Sequence, residues 1–273
     1  MNILQAGYGL DLNGFIVSDV GLEKIADPYL PCIKETVENL IKLYPRQLHS
    51  VYVYGSVARG EAVAVKSDLD ILAMFHEALS ADEIAAIKDL SMKLSHEYAS
   101  LVREVGIAVG SCDYAFALEN YYEQAFLKEL CVCVHGDDIR HRFGPYKLTS
   151  DIAISFNGDI AEVFTRTITR LEQATDEEFR TITTIFPRKL IRTYYSMLMQ
   201  QSQIWTTRLN EQAEVIIRFY NEKEATVRTL LQWIEEPPLE RDTVLELFKR
   251  EVKWTSINFE SEARKISYKD RIV

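Results

Sequence analysis

Residues 51–75 read V-Y-V-Y-G-S-V-A-R-G-E-A-V-A-V-K-S-D-L-D-I-L-A-M-F. The apolar run that ends at Tyr54 predicts a strand over His49–Tyr54, and Gly55-Ser56 follows it without a break. A second strand is predicted through Leu69, Ile71 and Leu72 to Phe75, opening on Asp68-Leu69-Asp70. Residues two apart on a strand share a face. Asp68 and Asp70 therefore project together, while Leu69 and Ile71 point to the packed side. Adjacent carboxylates repel and raise each other's pKa, so a fold keeps them together only with compensation. A divalent cation is the obvious compensator. Hard oxygen ligands suit Mg²⁺, which takes one or two carboxylates and completes its shell with substrate phosphates.

Gly55-Ser56 supplies the complementary half. Glycine lets the backbone approach a phosphate closely, and Ser56 is predicted to begin a short helix whose free N–H groups face the anion. The Ser56 hydroxyl can donate to the same group. Arg59, Lys66 and Ser67 lie on the connection between the two strands and are candidate triphosphate contacts, although a solvated role suits the two cations as well. A D-x-D alone is a common surface pattern. Gly-Ser closing one strand and D-x-D opening the next is much more specific.

Around this core, apolar spacing predicts a helix from about Pro28 to Leu43, ended by Pro45. Ser80 caps a long helix predicted over 81–102, with Asp82 and Glu83 in its first turn. A third strand is predicted over Cys112–Leu118, a short helix over 121–130, and a fourth strand over Cys131–His135. Residues 1–25, broken by four glycines, suggest a hairpin or arm. After Gly144-Pro145 the pattern is helical: about 158–174, 187–203 with Pro187 at its first position, 209–221, 223–235 and 239–253. The expected fold class is α/β (α+β): a domain over 1–145 with a mixed sheet, then an all-helical domain over 146–273.

Gly55-Ser56, Gly60 and Asp68-x-Asp70 together resemble the signature of the DNA polymerase beta nucleotidyltransferase superfamily. The helical second half resembles the architecture of aminoglycoside adenylyltransferases. The resemblance implies Mg²⁺-dependent transfer of a nucleoside monophosphate, AMP from ATP foremost, onto a hydroxyl of a small acceptor with release of pyrophosphate. It also implies a third carboxylate on a neighbouring strand, for which two residues compete. Asp113 opens C-D-Y-A-F-A-L, where Ala115 and Ala117 would keep its face small. Glu104 lies in L-V-R-E-V-G, at a helix end or strand start, where adenylyltransferases of antibiotics often carry a glutamate base. The strand pattern favours Asp113, as metal ligand and base. Lys189, beside Arg188 and Arg192, is a candidate cation for the triphosphate; a solvated basic face is the plainer reading. Tyr194, Tyr195 and Trp205 could wall an acceptor pocket, yet aromatics at helical spacing are more often core.

Composition narrows the partners. The 273 residues carry a formal net charge of −10, which disfavours a nucleic-acid substrate and suits a small neutral or cationic acceptor. Cys131 and Cys133 alternate with valines as a buried strand, without the second pair that a zinc site needs. No basic region precedes an apolar stretch in Met1–Leu12, and no apolar run reaches membrane-spanning length, so a reducing cytoplasm is expected. Two other readings stay open: a protein or RNA acceptor, and a non-catalytic regulatory or antitoxin protein. The ribonuclease helices that accompany such antitoxins carry an Arg…His motif, whereas the last histidine here is His141. A binding-only protein would be expected to lose an acid, and Asp68 and Asp70 are both present.

Overall fold

The computed structural model describes residues 4–266. Two compact units emerge: Val17–Pro145, and a second that joins the residues before it to those from Tyr146 onward. The first unit runs α1 (Leu30–Leu43), β1 (Leu48–Tyr54), α2 (Gly55–Arg59), β2 (Leu69–Phe75), α3 (Ala81–Glu97), β3 (Val105–Ser111), α4 (Cys112–Phe116), α5 (Gln124–Leu130) and β4 (Cys131–Gly136). Its sheet has the order β3-β2-β1-β4. β1 is antiparallel to β2 and β4, while β2 and β3 are parallel, which makes the sheet mixed as expected. A parallel pair needs a crossover, and α3 provides it. That helix starts where the sequence predicts, with Ser80 and Glu83 forming a capping box.

One face of the sheet is covered. Val51, Val53, Leu69, Ile71, Ala73, Phe75 and Val105 pack in a single core with Ile33 and Leu40 of α1 and Ile87, Leu90 and Leu94 of α3. Leu69 and Ile71 are both 0% exposed. Burying each is worth about 1.5–3 kcal/mol, so the register of β2 is strongly fixed. A slip of one residue would drive Asp70 into this core.

The third strand differs from expectation. It is Val105–Ser111, and the segment from Cys112 that was expected to be a strand forms α4 instead. Ser111 caps that helix by accepting a hydrogen bond from the Tyr114 amide. Val105, Ile107 and Val109 do alternate with Gly106, Ala108 and Gly110, but two interior glycines weaken a strand signal. α3 also ends at Glu97, before the predicted 102.

The other unit contains α6 (Ser150–Asn157), α7 (Ile160–Gln173), α8 (Asp176–Ser202), α9 (Leu209–Phe219), α10 (Glu224–Glu235) and α11 (Arg241–Ala263). Near its start, Leu10 bridges Ile16 antiparallel. α8 begins well before Pro187, because Thr175 caps it by accepting from the Glu178 amide, and Pro187 sits inside the helix rather than at its first position. Phe186 links Phe164 and Phe248 through edge contacts of 5.1 and 4.7 Å. Tyr194 and Tyr195 are core: Tyr194 donates to the Glu251 carboxylate, and Tyr195 donates to the Ile204 carbonyl at 2.6 Å. Lys223 Nζ meets the same Glu251 at 2.6 Å and lies 4.1 Å from the Trp254 ring centre. Among the described residues, no helix is long and apolar enough to cross a membrane.

Candidate active site

β1 delivers the chain to the site. Tyr54 pairs with Asp70, and Val53 with Ile71, so the backbone turns into α2 directly beside the Asp70 carboxylate. Gly55 makes that turn with φ +72°, a left-handed conformation that disfavours any β-carbon. A β-carbon built there would stand 2.3 Å from Asp70 Oδ2. Glycine is required twice over, by the backbone and by the carboxylate.

Asp68 comes from the connection before β2. That connection is tied to the segment preceding β3: the Val65 amide donates to the Leu101 carbonyl at 2.9 Å, Arg103 N to Ser67 O at 3.0 Å, and Leu69 N to Glu104 O at 2.9 Å. Ser67 Oγ accepts from the Val63 amide at 2.9 Å and so orders the loop from within. Val65 holds φ 66°, a costly conformation for a β-branched residue. The Asp68 carboxylate faces a guanidinium: Arg103 Nε donates to Oδ1 at 2.9 Å and Nη2 donates to Oδ2. Sequence reasoning did not single out Arg103, although it directly precedes a residue that was weighed.

The parallel register places the two competing acids at opposite ends of β3. Asp70 stands opposite Gly106, and a β-carbon at Gly106 would lie 3.9 Å from Asp70 Oδ1. The small face of β3 thus leaves room for Asp70. Glu104 directly precedes β3 at this end, exposed, and its carbonyl accepts from the Leu69 amide. Asp113 is not at this end. Phe75 and Ser111 pair at the opposite end, about 16 Å along the strand from Gly106, and Asp113 lies beyond, exposed on α4. The expectation that Asp113 shares the face of Asp68 and Asp70 is therefore corrected, because the strand assigned to it is a helix.

Arg59 is paired with Glu61 at 3.0 Å, and Lys66 is exposed in the turn before Ser67. Lys189 donates to Asn157 Oδ1 at 2.8 Å and lies 3.7 Å from Asp159, within its own unit; burial pulls its pKa below the usual lysine value. Cys131, opposite Tyr54, is fully buried; burial pushes its thiol well up, and the nearby Asp70 charge adds to the effect. It stays protonated and offers no soft ligand. Among the described residues no group of three or more His, Cys, Asp and Glu side chains forms a ready cation cage. The donor chemistry of Asp68 and Asp70, two carboxylates two residues apart, nevertheless fits Mg²⁺, which takes few protein ligands.

Residues 33–130, from α1 to the end of α5, match the family model described as a nucleotidyltransferase domain. This segment is similar to nucleotidyltransferase domains. It contains Gly55, Ser56, Asp68, Asp70 and Glu104. A search of curated proteins gives no match. Among solved structures, the chain is similar to the spectinomycin adenyltransferase AAD(9) from Enterococcus faecialis, solved with ATP and spectinomycin. The TM-score is 0.51 at 14% identity, covering 82% of this chain and 99% of that one. At that identity the likeness is one of fold, and its extent takes in sequence beyond residues 33–130.

Proposed function

We propose that this chain is a metal-dependent nucleotidyltransferase that moves AMP from ATP onto a hydroxyl of a small, aminoglycoside-like acceptor and releases pyrophosphate. The observation that carries the reading is the fit of Gly55 against Asp70, with Asp68 two residues before it in the sequence. Asp68 and Asp70 would hold Mg²⁺, which when bound neutralises phosphate charge as it develops. Gly55 lets the backbone approach the phosphates, and the Ser56 hydroxyl donates to them. Arg59 and Lys66 add positive charge, and Ser67 keeps the Asp68 loop in shape. Glu104 takes the proton of the acceptor hydroxyl, a role worth about 10²–10⁴-fold in rate. The acceptor oxygen bonds to the α-phosphorus as the bond to the bridging oxygen breaks, and pyrophosphate leaves. Lys189 is given no phosphate in this reading, since its amine already serves Asn157 and Asp159.

The acceptor class rests on two supports. A net charge of −10 favours a cationic small molecule over a polyphosphate. The similar structure holds ATP and spectinomycin. Pyrophosphate release should be measured with each of the four ribonucleoside triphosphates against aminoglycosides, aminocyclitols, a protein and an RNA. Release with ATP and a cationic small acceptor, with adenylylated product by mass spectrometry, is the expected result. Release only with the protein or the RNA would overturn the acceptor assignment, and no release with any pair would overturn the activity.

A further inference from the structure

The Asp68 carboxylate has a partner that the proposed chemistry does not use. Arg103 reaches it with two donors at once, Nε to Oδ1 at 2.9 Å and Nη2 to Oδ2, so both carboxylate oxygens are engaged by one planar fork. Fork-to-carboxylate pairing is the strongest geometry available to an arginine at such a site. The pair is not deeply buried; the side chains are 39% and 26% exposed. It can therefore open without stranding either charge in a dry interior. The backbone keeps the two residues together, because Arg103 N donates to Ser67 O at 3.0 Å, immediately before Asp68.

We propose that Arg103 is an internal counter-cation that occupies Asp68 in the metal-free protein and is displaced when a divalent cation binds. This rests on the reading of Asp68 and Asp70 as metal ligands. Without a cation, the carboxylates of Asp68 and Asp70, two residues apart, repel, and the guanidinium offsets that cost. The same contact sets a threshold for metal entry: a cation gains Asp68 only by breaking two charge-assisted hydrogen bonds. Arg103 is thus a positioning residue that holds the empty site in shape and weakens its intrinsic metal affinity.

Mn²⁺ alone serves as the probe, titrated calorimetrically into the full chain, its Arg103→Ala variant and its Asp70→Asn variant. Removing the competitor should tighten Mn²⁺ binding about two- to five-fold in Arg103→Ala, the scale of an exposed but well-formed ion pair. A second readout uses the unaltered protein: the Arg103 Nε–Hε NMR signal, assigned by its loss in the variant, should shift on saturation with diamagnetic Mg²⁺. Equal Mn²⁺ affinity in the full chain and Arg103→Ala overturns the proposal. So does a guanidinium signal that ignores Mg²⁺ saturation, because any tightening would then reflect general charge repulsion. A different failure marks the underlying metal site: Mn²⁺ binding that is absent throughout, or undiminished in Asp70→Asn, removes that reading and this proposal with it.

Discussion

Gly55 and Asp70 are locked together sterically: with φ at +72°, Gly55 presents to the Asp70 carboxylate a surface on which a β-carbon would come within 2.3 Å of Oδ2. The strand register puts them there, since Tyr54 pairs with Asp70 and Gly55 is the next residue. Fold and chemistry meet at this contact. The buried Leu69 and Ile71 fix which way β2 faces, and that choice turns Asp70 toward the glycine.

Gly55→Ala should be costly on both counts. A non-glycine residue in the left-handed region loses roughly 1–2 kcal/mol, and the new methyl must also push Asp70 aside. The expected outcome is a lowered melting temperature, with nucleotide affinity in the presence of Mg²⁺ reduced about ten-fold or more. Thermal melts and a nucleotide titration check this, and unchanged affinity in a folded variant would contradict it.

The two competing acids separate cleanly by mutation. Glu104→Gln should lower turnover by about 10²–10⁴-fold while nucleotide binding is largely kept, as removal of a general base requires. Asp113→Asn, at the opposite end of β3, should retain near-normal turnover. Steady-state kinetics on both variants decide the matter, and the reverse pattern would restore Asp113 to the site.

The lesson about sequence lies in those two residues. β1 and β2, the capped helix after them and most of the later helices were legible, because apolar periodicity and capping residues are local signals. The position of β3 was not, because Gly106 and Gly110 dilute its pattern while Cys112–Leu118 imitates one. Asp113 was favoured for small neighbours on its face. The real small face is Gly106, Ala108 and Gly110, one strand earlier. The pairing of Arg103 with Asp68 joins residues 35 apart in sequence, and no local pattern announces it.

Lys223→Ala should destabilise the helical unit by about 3–5 kcal/mol. Glu251 is 1% exposed, and although burial pushes its pKa up, hydrogen bonds from Lys223, Tyr194 and Arg250 outweigh that and hold it low. Removing the lysine leaves a buried carboxylate short of its main counter-charge. Denaturant unfolding provides the measurement, and a loss under 1 kcal/mol would show that Tyr194 and Arg250 suffice.

Glu129 gives a pH signature. It is 4% exposed, and burial pushes its carboxyl up from 4.5 to about 7, only partly countered by Lys128 and Arg140. A raised folded-state pKa means stability that is full below the unfolded value and declines as pH rises through the folded one. Glu129→Gln should therefore change little at pH 4 and stabilise by about 1–3 kcal/mol at pH 8, relative to the unaltered chain. Melting temperatures of the two proteins across this range check it; a difference that does not vary with pH would refute the assignment.

The most direct test of the central claim is the affinity of a non-hydrolysable ATP analogue, methylene-bridged between the α- and β-phosphates, with Mg²⁺ and with EDTA. The unaltered chain should bind it about ten-fold or more tightly with Mg²⁺, and Asp70→Asn, folded as judged by its melt, should lose that Mg²⁺-dependent gain. The same Mg²⁺-dependent gain in Asp70→Asn would contradict a nucleotide–metal site built on Gly55, Asp68 and Asp70.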